Sequence, residues 1–276
     1  MNILLSKMTA AADATQVPGL SRFFKTGPGQ YGEGDRFLGI KVPVTRSVVQ
    51  QCWKSLGTVS DGPGRFPELE ECMASPYHEV RLAALLALVE VFKHARKQPG
   101  LQQQCIDFYL SHTAGINNWD LVDLSCYPLL GEWLLDKDRS VLYDLARNGR
   151  TIWEQRIGIV STMTFVRHAQ LHDTFAIADI LLHHPHDLIH KAVGWLLREA
   201  GKSDKAALEV WLRSSGPAPG GGPAPGGRLC AGLSCSDESA RYRTMPRTML
   251  RYAIERFPEE ERQAYLSGEM SIFEKK

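Results

Sequence analysis

The chain has 276 residues, of which 43% are hydrophobic and 23% are charged, which suffices for one sizeable core or two small ones. Its 32 basic residues almost balance its 31 acidic ones, for a net charge of +1. This balance excludes a histone-like tail protein but leaves room for a local basic patch. Because no run of about 18 apolar residues occurs, the sequence predicts no membrane-spanning helix.

The cysteines favour a reducing compartment, and we expect an intracellular protein of the cytoplasm or nucleus. None of them forms a Cys-x-x-Cys pair, so neither a disulfide scaffold nor a zinc ribbon is expected. The first residues lack the long apolar core of a secretory signal. Lys7 and Arg22 flank an acid-poor stretch, so an organellar presequence stays open. Four cysteines stand singly in apolar, helix-like stretches: Cys52, Cys72, Cys105 and Cys126.

The patterning along the chain predicts an all-α fold. In the stretch 82–92, strong helix formers combine with apolar residues that repeat at intervals of three and four. Ser75 stands where an N-cap would stand and is followed by Pro76 at the first helical position. Asp187 is a second predicted N-cap. No segment alternates as a strand does, and no Asn-Gly hairpin occurs.

A weak internal repeat indicates how the helices are arranged. Five short segments of similar pattern recur at a period of about 35–40 residues, which suits stacked helix pairs of the HEAT or armadillo kind. We therefore predict one HEAT-like solenoid domain over 1–276, with a concave face for a partner. Each segment has a charged residue at its centre: Arg81, Asp123, Arg156, Lys191 and Arg247.

A Pro/Gly-rich insertion at 214–244 interrupts the repeat pattern before its last member. It contains Gly-Pro-Ala-Pro-Gly-Gly twice, a composition that cannot bury enough apolar area to offset its chain entropy. The sequence predicts a disordered surface loop here. Cys230 and Cys235 lie in its second half and form a poor metal site, because no histidine partners are near.

The segment 117–123, Asn-Asn-Trp-Asp-Leu-Val-Asp, is the most unusual in the chain. On a helix, Trp119 and Asp123 are four residues apart and share one face. Asp120 is expected to point elsewhere and to suit the positive end of the helix. Taken alone, the pattern fits a core tryptophan and a solvated charge. In a solenoid, however, recurring tryptophan and arginine residues would extend it along one concave wall: Trp119, Asp123, Arg156 and Trp195.

Basic residues interleaved with aromatics follow further along the chain. Lys191, Trp195, Arg198 and Lys202 share a helical stripe, and Arg247 and Arg251 are four residues apart. Taken singly, each arginine suits a solvated face. On the same edge of consecutive repeats they form the phosphate-binding track that a nucleic-acid groove needs.

These segments resemble the AlkD-type DNA alkylation repair family, which are alkylpurine DNA glycosylases built from HEAT-like repeats. The most specific motifs are NNWDLVD, KAVGWLLREAGK and MPRTMLRYAIE, and the Pro/Gly insertion departs from the usual pattern. The resemblance covers nearly the whole chain in order, through the segments 31–43, 75–85, 117–131, 153–166, 187–202 and 245–257.

The resemblance implies that Asp123 is the catalytic carboxylate, that Trp119 and Trp195 flank the lesion, and that Arg156 supports them. It also implies DNA contacts for residues outside the catalytic group. Thr45 and Arg46 precede a predicted helix, where phosphate binding and simple capping are both open. The expected DNA-binding residues are Tyr31, Lys41, Arg46, Lys191, Arg198, Lys202, Arg247 and Arg251.

The activity implied is excision of N3- and N7-alkylated purines, such as 3-methyladenine and 7-methylguanine, from duplex DNA in base excision repair. The family works without base flipping. Because no signature of a Schiff-base lysine stands out in the sequence, we expect a monofunctional enzyme that does not cleave the strand. We expect a monomer that needs no cofactor or metal. In the histidine run 183–190, Pro185 interrupts the sequence, and Asp187 suits a helix cap better than a metal ligand. A non-enzymatic HEAT-repeat module that binds DNA structure or a protein is the alternative, and a scaffold without a DNA role is a third.

Overall fold

The structure, a computed structural model, describes residues 2–56, 66–216 and 239–269 and is all-α, as the sequence predicts. Within these ranges no strand forms, and β pairing is limited to isolated bridges between Arg36 and Tyr77 and between Ser215 and Ala240. Among the described helices, none combines the length and apolar character that a membrane span requires. The α-helices are α1 (Ile3–Ala10), α2 (Val17–Phe23), α3 (Val42–Leu56), α4 (Pro67–Met73), α5 (His78–His94), α6 (Pro99–Ser111), α7 (Trp119–Asp123), α8 (Ser140–Asn148), α9 (Ile152–Val160), α10 (Met163–Arg167), α11 (His172–Ile180), α12 (Asp187–Ser203), α13 (Lys205–Arg213), α14 (Arg241–Thr244), α15 (Arg247–Ala253) and α16 (Glu259–Ser267).

The chain divides into two compact units, an N-terminal unit (Met1–Trp133) and a C-terminal unit (Leu134–Lys276). The single repeat domain over 1–276 therefore stays a prediction. The five repeat centres each lie on a helix, namely α5, α7, α9, α12 and α15 in chain order. The helical placement of the repeat is thus confirmed.

The N-terminal unit is built around α5, which packs against α1, α3, α4 and α6. Its stretch 82–89 is buried on every side, so the helix predicted over 82–92 is confirmed. The predicted cap at Ser75 is wrong, because α5 begins at His78 with Tyr77 in the cap position. The backbone N–H of His78 donates instead to the carbonyl of Arg36, 2.8 Å away. A distant segment thus sets where the helix begins.

The C-terminal unit is built around α12, which packs against α9 and α15, while α8 packs against α9. Glycine permits one close approach: a Cβ on Gly194 would lie 2.6 Å from the carbonyl oxygen of Met249. The predicted cap at Asp187 is wrong by one residue. His186 occupies that position, and its ring accepts a hydrogen bond from the backbone N–H of Leu188 at 3.1 Å.

The predicted insertion at 214–244 lies mostly outside the described residues, as do Cys230 and Cys235. Its two ends are described. Ser215 and Ala240 form an isolated antiparallel bridge, and Arg241 to Thr244 form α14. Helical structure therefore resumes at Arg241, before the predicted end of the insertion at residue 244. Disorder of the remaining loop stays a prediction.

The cysteines of the described residues are buried and form no disulfide, which confirms that they occupy apolar helical surroundings: Cys52, Cys72, Cys105 and Cys126. Burial raises the pKa of Cys72 to about 12 and that of Cys105 to about 12. Burial also raises the pKa of Cys52.

Candidate active site

The candidate site lies on α7, the short helix that carries both Trp119 and Asp123. The side chain of Asn118 caps this helix by accepting a hydrogen bond from the backbone N–H of Trp119 at 2.9 Å. Trp119 and Asp123 are both half-buried. The prediction that the segment 117–123 forms a helix carrying these two residues is therefore confirmed.

Trp119 and Asp123 line one pocket of about 400 Å³ in the N-terminal unit. Its exposed lining is almost entirely carbon. Lys41 also lies at this pocket, so the structure brings together three residues that the sequence proposed for the site. Asp120 is also among the residues that line this pocket. Its carboxylate binds the ring of His78 and the backbone N–H of Leu121, and it lies in the first turn of α7, as predicted.

Aromatic rings form one wall of the pocket. Phe24 stacks on Trp119 with ring centroids 5.5 Å apart, and Phe23 meets Trp119 edge-on at 5.8 Å. Phe37 also stacks on Phe24, with ring centroids 5.2 Å apart. Phe23 is 59% exposed, so this wall reaches the surface of the unit. The double phenylalanine at the end of α2 was not recognised in the sequence as part of the site.

Beneath the pocket lies a buried charge network that the sequence pattern does not predict. The two ring nitrogens of His78 each lie 2.9 Å from a carboxylate oxygen, one of Asp35 and one of Asp120. Arg81 approaches Asp35 at 2.5 Å. All four side chains are almost inaccessible to solvent. The available signal was the polar start of α5, because charged groups at the edge of a fully buried helix need partners.

The pKa shifts follow from these contacts. Burial alone would lower the pKa of His78, but its hydrogen bonds to Asp120 and Asp35, and their charges, raise the pKa to about 9. Burial alone would raise the pKa of Asp35, but the hydrogen bond from His78 and the charge and hydrogen bond of Arg81 hold the pKa of that carboxyl below its usual value. His78 is therefore an imidazolium at neutral pH.

A second buried carboxylate fixes the segment that leads into α3. Glu79 accepts hydrogen bonds from the backbone N–H groups of Leu38, Gly39 and Ile40, at 2.9, 2.9 and 3.0 Å. Gly39 adopts a φ of +87°, and a Cβ there would lie 1.8 Å from the carbonyl oxygen of Asp13. This position therefore requires glycine.

The other predicted DNA contacts of the N-terminal unit lie near this segment. Lys41 and Arg46 are exposed, and Tyr31 is half-buried in the glycine-rich loop formed by residues 27–34. Thr45 and Arg46 both lie inside α3, so the capping interpretation for them is wrong. Thr45 is buried, and its hydroxyl donates to the carbonyl of Lys41 at 3.5 Å. Phosphate binding by Arg46 stays a prediction.

The remaining site residues belong to the C-terminal unit. Arg156 lies near the start of α9, as predicted, but it is buried and donates a hydrogen bond to the carbonyl of Leu188 at 2.7 Å. It thereby ties α9 to the start of α12. Trp195 lies half-buried in the middle of α12. Their predicted alignment with Trp119 and Asp123 stays a prediction.

Most of the predicted basic track already has protein partners. Lys191 pairs with Asp187 at 2.6 Å and Lys202 pairs with Glu199 at 2.8 Å, both along α12. Arg198 forms ion pairs with Glu199 and Glu255. These carboxylates offset the positive field that the sequence pattern suggested. DNA binding by these three residues stays a prediction.

The last two predicted contacts lie on α15. Arg247 donates a hydrogen bond to the carbonyl of Leu266, and Arg251 is exposed. Within the described ranges, no group of three or more His, Cys, Asp or Glu side chains is placed to hold a metal ion. The histidine run instead forms local hydrogen bonds, including that from the backbone N–H of His186 to Nδ1 of His184.

Comparisons with known proteins agree with the resemblance noted above. A family model described as "DNA alkylation repair enzyme" matches residues 4–257. A solved structure described as a predicted DNA alkylation repair enzyme from Enterococcus faecalis superimposes with a TM-score of 0.60 and 14% sequence identity, over 90% of this chain and 97% of that chain. At this identity the likeness establishes the fold alone. No curated protein matches the chain. The match over nearly the whole length shows that the chain belongs to the DNA alkylation repair enzyme family, with a role in the repair of alkylated DNA.

Proposed function

We propose that the protein is a monofunctional DNA glycosylase that excises N3- and N7-alkylated purines, such as 3-methyladenine and 7-methylguanine, from duplex DNA. The observation that carries the proposal is that Asp123 and Trp119 line the same pocket. A carboxylate beside an aromatic face suits a positively charged, partly apolar group. The deoxyribose of an alkylated purine nucleotide becomes such a group as its glycosidic bond breaks.

The proposed reaction is a hydrolysis. The C1′–N bond breaks, and its electron pair moves onto the alkylated purine, which leaves as a neutral base because it was a cation. Positive charge develops on the sugar, and the Asp123 carboxylate stabilises it. A water molecule adds to C1′ and gives its proton to Asp123 or to solvent. The product is an abasic site, the starting point of base excision repair. The reaction needs no cofactor.

The surroundings favour Asp123 over Asp120 as the catalytic carboxylate. Both oxygens of Asp120 already accept hydrogen bonds, one from the backbone N–H of Leu121 at 2.9 Å and one from the ring of His78 at 2.9 Å. Asp120 is also buried. Asp123 is half-buried and lines the pocket, so its side chain is more accessible to a sugar than that of Asp120.

The pocket lining supports excision without base flipping. An enzyme that inserts a flipped base reads the polar edge of that base by hydrogen bonding. The exposed surface of this pocket is almost all carbon and offers few such partners.

We propose that the rings of Trp119 and Trp195 flank the sugar–phosphate backbone, and that Arg156 supports the site by fixing α9 on α12. The remaining proposed residues would contact the DNA backbone: Tyr31, Lys41, Arg46, Lys191, Arg198, Lys202, Arg247 and Arg251.

The decisive test compares the wild type with Asp123→Asn on a duplex that contains 7-methylguanine. We expect the variant to lose about 100-fold or more of the base-release rate while it keeps salt-dependent duplex binding. Asp107→Asn is the matched control, because Asp107 is an exposed carboxylate of the same unit. Release is measured as free base and, after alkali, as strand breaks. Breaks that appear before alkali would contradict monofunctional activity.

The same assay separates the alternatives. Asp123→Asn at the wild-type rate would show that Asp123 is not the catalytic group. Duplex binding by the wild type without any base release would favour a non-enzymatic HEAT-repeat DNA-binding module. Absence of salt-dependent duplex binding would favour a protein scaffold.

A further inference from the structure

His78 is buried at the floor of the pocket and has carboxylates on both sides of its ring. Nδ1 lies 2.9 Å from an oxygen of Asp35, and Nε2 lies 2.9 Å from an oxygen of Asp120. Because an ionised carboxylate only accepts hydrogen bonds, each contact requires a proton on the ring nitrogen. A neutral histidine has one such proton. The geometry therefore fits the doubly protonated imidazolium.

The two carboxylates connect His78 to the parts of the chain that form the site. Asp120 lies on α7 between Trp119 and Asp123. Asp35 lies at the end of the glycine-rich loop and also binds Arg81. The imidazolium thus joins α5 to both segments.

Arg81 extends the same network along the approach to α7. Its guanidinium donates to the carbonyl of Gly115 at 3.0 Å and to the side-chain oxygen of Asn117 at 2.9 Å. Two side chains of α5, Arg81 and His78, therefore fix the segment 115–120 through hydrogen bonds. Arg81 and His78 are neighbours on one turn of α5.

The aromatic wall connects the imidazolium with Trp119. The His78 ring lies 4.7 Å from Phe24 and 4.9 Å from Phe37, measured between ring centroids. Phe24 in turn stacks on Trp119 at 5.5 Å. A change in the charge or orientation of the His78 ring would therefore reach Trp119 through one intervening ring and through the backbone of α7.

We propose that His78 is a positioning residue for base excision: its imidazolium, held between Asp35 and Asp120, fixes α7 so that Trp119 and Asp123 present the geometry the reaction needs. The proposal rests on the proposed function. His78 does not touch the substrate, and it acts through Asp120 and the aromatic wall. The proposal also gives the two aspartates of α7 different roles. Asp120 fixes the helix through His78, and Asp123 stabilises the positive charge on the sugar.

Loss of the ring proton gives the proposal a pH signature. Two charged groups contact His78 directly, namely Asp35 from the loop and Asp120 from α7. Arg81 is paired with Asp35, and three further charged residues line the pocket together with His78: Lys41, Glu79 and Asp123. The hydrogen bonds to the two aspartates place its pKa at about 9. Above that pH the ring can donate to only one carboxylate, and the other loses its partner in a buried site.

The first test observes Trp119 directly by ¹⁹F NMR of the full chain labelled with 5-fluorotryptophan. Trp119→Phe assigns the resonance. We expect the wild-type Trp119 resonance to shift with a midpoint near pH 9, and His78→Gln to abolish that inflection. His94→Gln is the matched control, because His94 lies exposed on the same helix, and it should leave the inflection unchanged.

The second test measures single-turnover release of 7-methylguanine from duplex DNA, with the uncatalysed release subtracted. We expect His78→Gln to lower the rate about 10- to 100-fold at pH 7.5 with DNA affinity unchanged. As the pH is raised, the wild-type rate should fall with the same midpoint pH as the Trp119 resonance. The rate of His78→Gln should show no such fall.

The outcomes distinguish this proposal from the proposed function. A wild-type Trp119 resonance without an inflection near pH 9, or a His78→Gln variant that releases base at the wild-type rate, would overturn the positioning role. If the resonance titrates as expected but the wild type releases no base, the glycosylase function fails, whereas the control of α7 by His78 stands. Should His78→Gln not fold, the wild-type titration decides alone.

Discussion

Asp120 and Asp123 lie within one turn of α7 and line the same pocket, yet they have opposite surroundings. Asp120 is buried and holds the ring of His78 and the backbone of Leu121, whereas Asp123 is half-exposed. Under the proposed function, Asp120 would serve stability and Asp123, three residues further on, would serve the chemistry.

This division predicts different effects of the same substitution at the two positions. Asp120→Asn leaves a buried imidazolium with one ionised partner, and we expect it to lower the free energy of unfolding by about 3 kcal/mol. Asp123→Asn should lower it by less than about 1 kcal/mol. Urea unfolding of both variants and the wild type measures the difference. Equal losses would show that His78 does not depend on Asp120.

The raised pKa of His78 predicts that the protein loses stability in alkaline solution. Because the folded-state pKa of about 9 exceeds the ordinary value of 6.5, the imidazolium adds stability that is fully present below pH 6.5. That stability is lost as the pH rises through about 9. The shift corresponds to about 3 kcal/mol. The free energy of unfolding of the wild type should approach that of His78→Gln as the pH rises; a constant difference up to pH 10 would contradict this.

The backbone of Gly39 predicts a substitution that the fold does not tolerate. Gly39→Ala would place its Cβ 1.8 Å from the carbonyl oxygen of Asp13 at a φ of +87°, and we expect a loss of about 3 kcal/mol or more. Gly34→Ala is the control, because Gly34 has a φ of +83° but open space around it. It should lose only about 1 kcal/mol from backbone strain. Thermal unfolding compares the two, and similar losses would mean that the contact with Asp13 relaxes freely.

The start of α12 predicts a sensitivity to acid. Nδ1 of His184 accepts the backbone N–H of His186 at 3.0 Å, so this nitrogen must be unprotonated. Burial, followed by the charges of His186 and His190, lowers the pKa of His184. A lowered folded-state pKa gives stability that is present above pH 6.5 and is lost as the pH falls through the folded value.

His184→Asn tests this origin of acid sensitivity, because an asparagine can accept the same backbone N–H without titrating. We expect the wild type to lose more unfolding free energy than the variant between about pH 7 and pH 5. Parallel pH profiles for the two proteins would assign the acid sensitivity elsewhere.

The sequence predicts the helices of this protein and the placement of Trp119 and Asp123 well, because both depend on local periodicity. It does not predict the buried network, because Asp35, His78 and Asp120 are separated by more than 40 positions. No helical or alternating pattern relates such residues. Their contact depends on tertiary packing that a single sequence leaves unspecified.

The cap predictions show the same limit at shorter range. Ser75 and Pro76 carry the right local signal, but the carbonyl of Arg36 pairs with the N–H of His78 and the helix starts there. Likewise, Lys191, Arg198 and Lys202 share a stripe of α12 as predicted. The sequence pattern could not show that Glu255 from another segment would pair with Arg198.

The buried cysteines bear on how the protein withstands the chemistry it repairs. Agents that alkylate purines also attack sulfur, and they react with the thiolate far faster than with the thiol. With the pKa of Cys72 and that of Cys105 near 12, almost none of either side chain is ionised at neutral pH, and both are closed off from solvent. The folded protein therefore shields these sulfur atoms from the electrophiles that create its substrates.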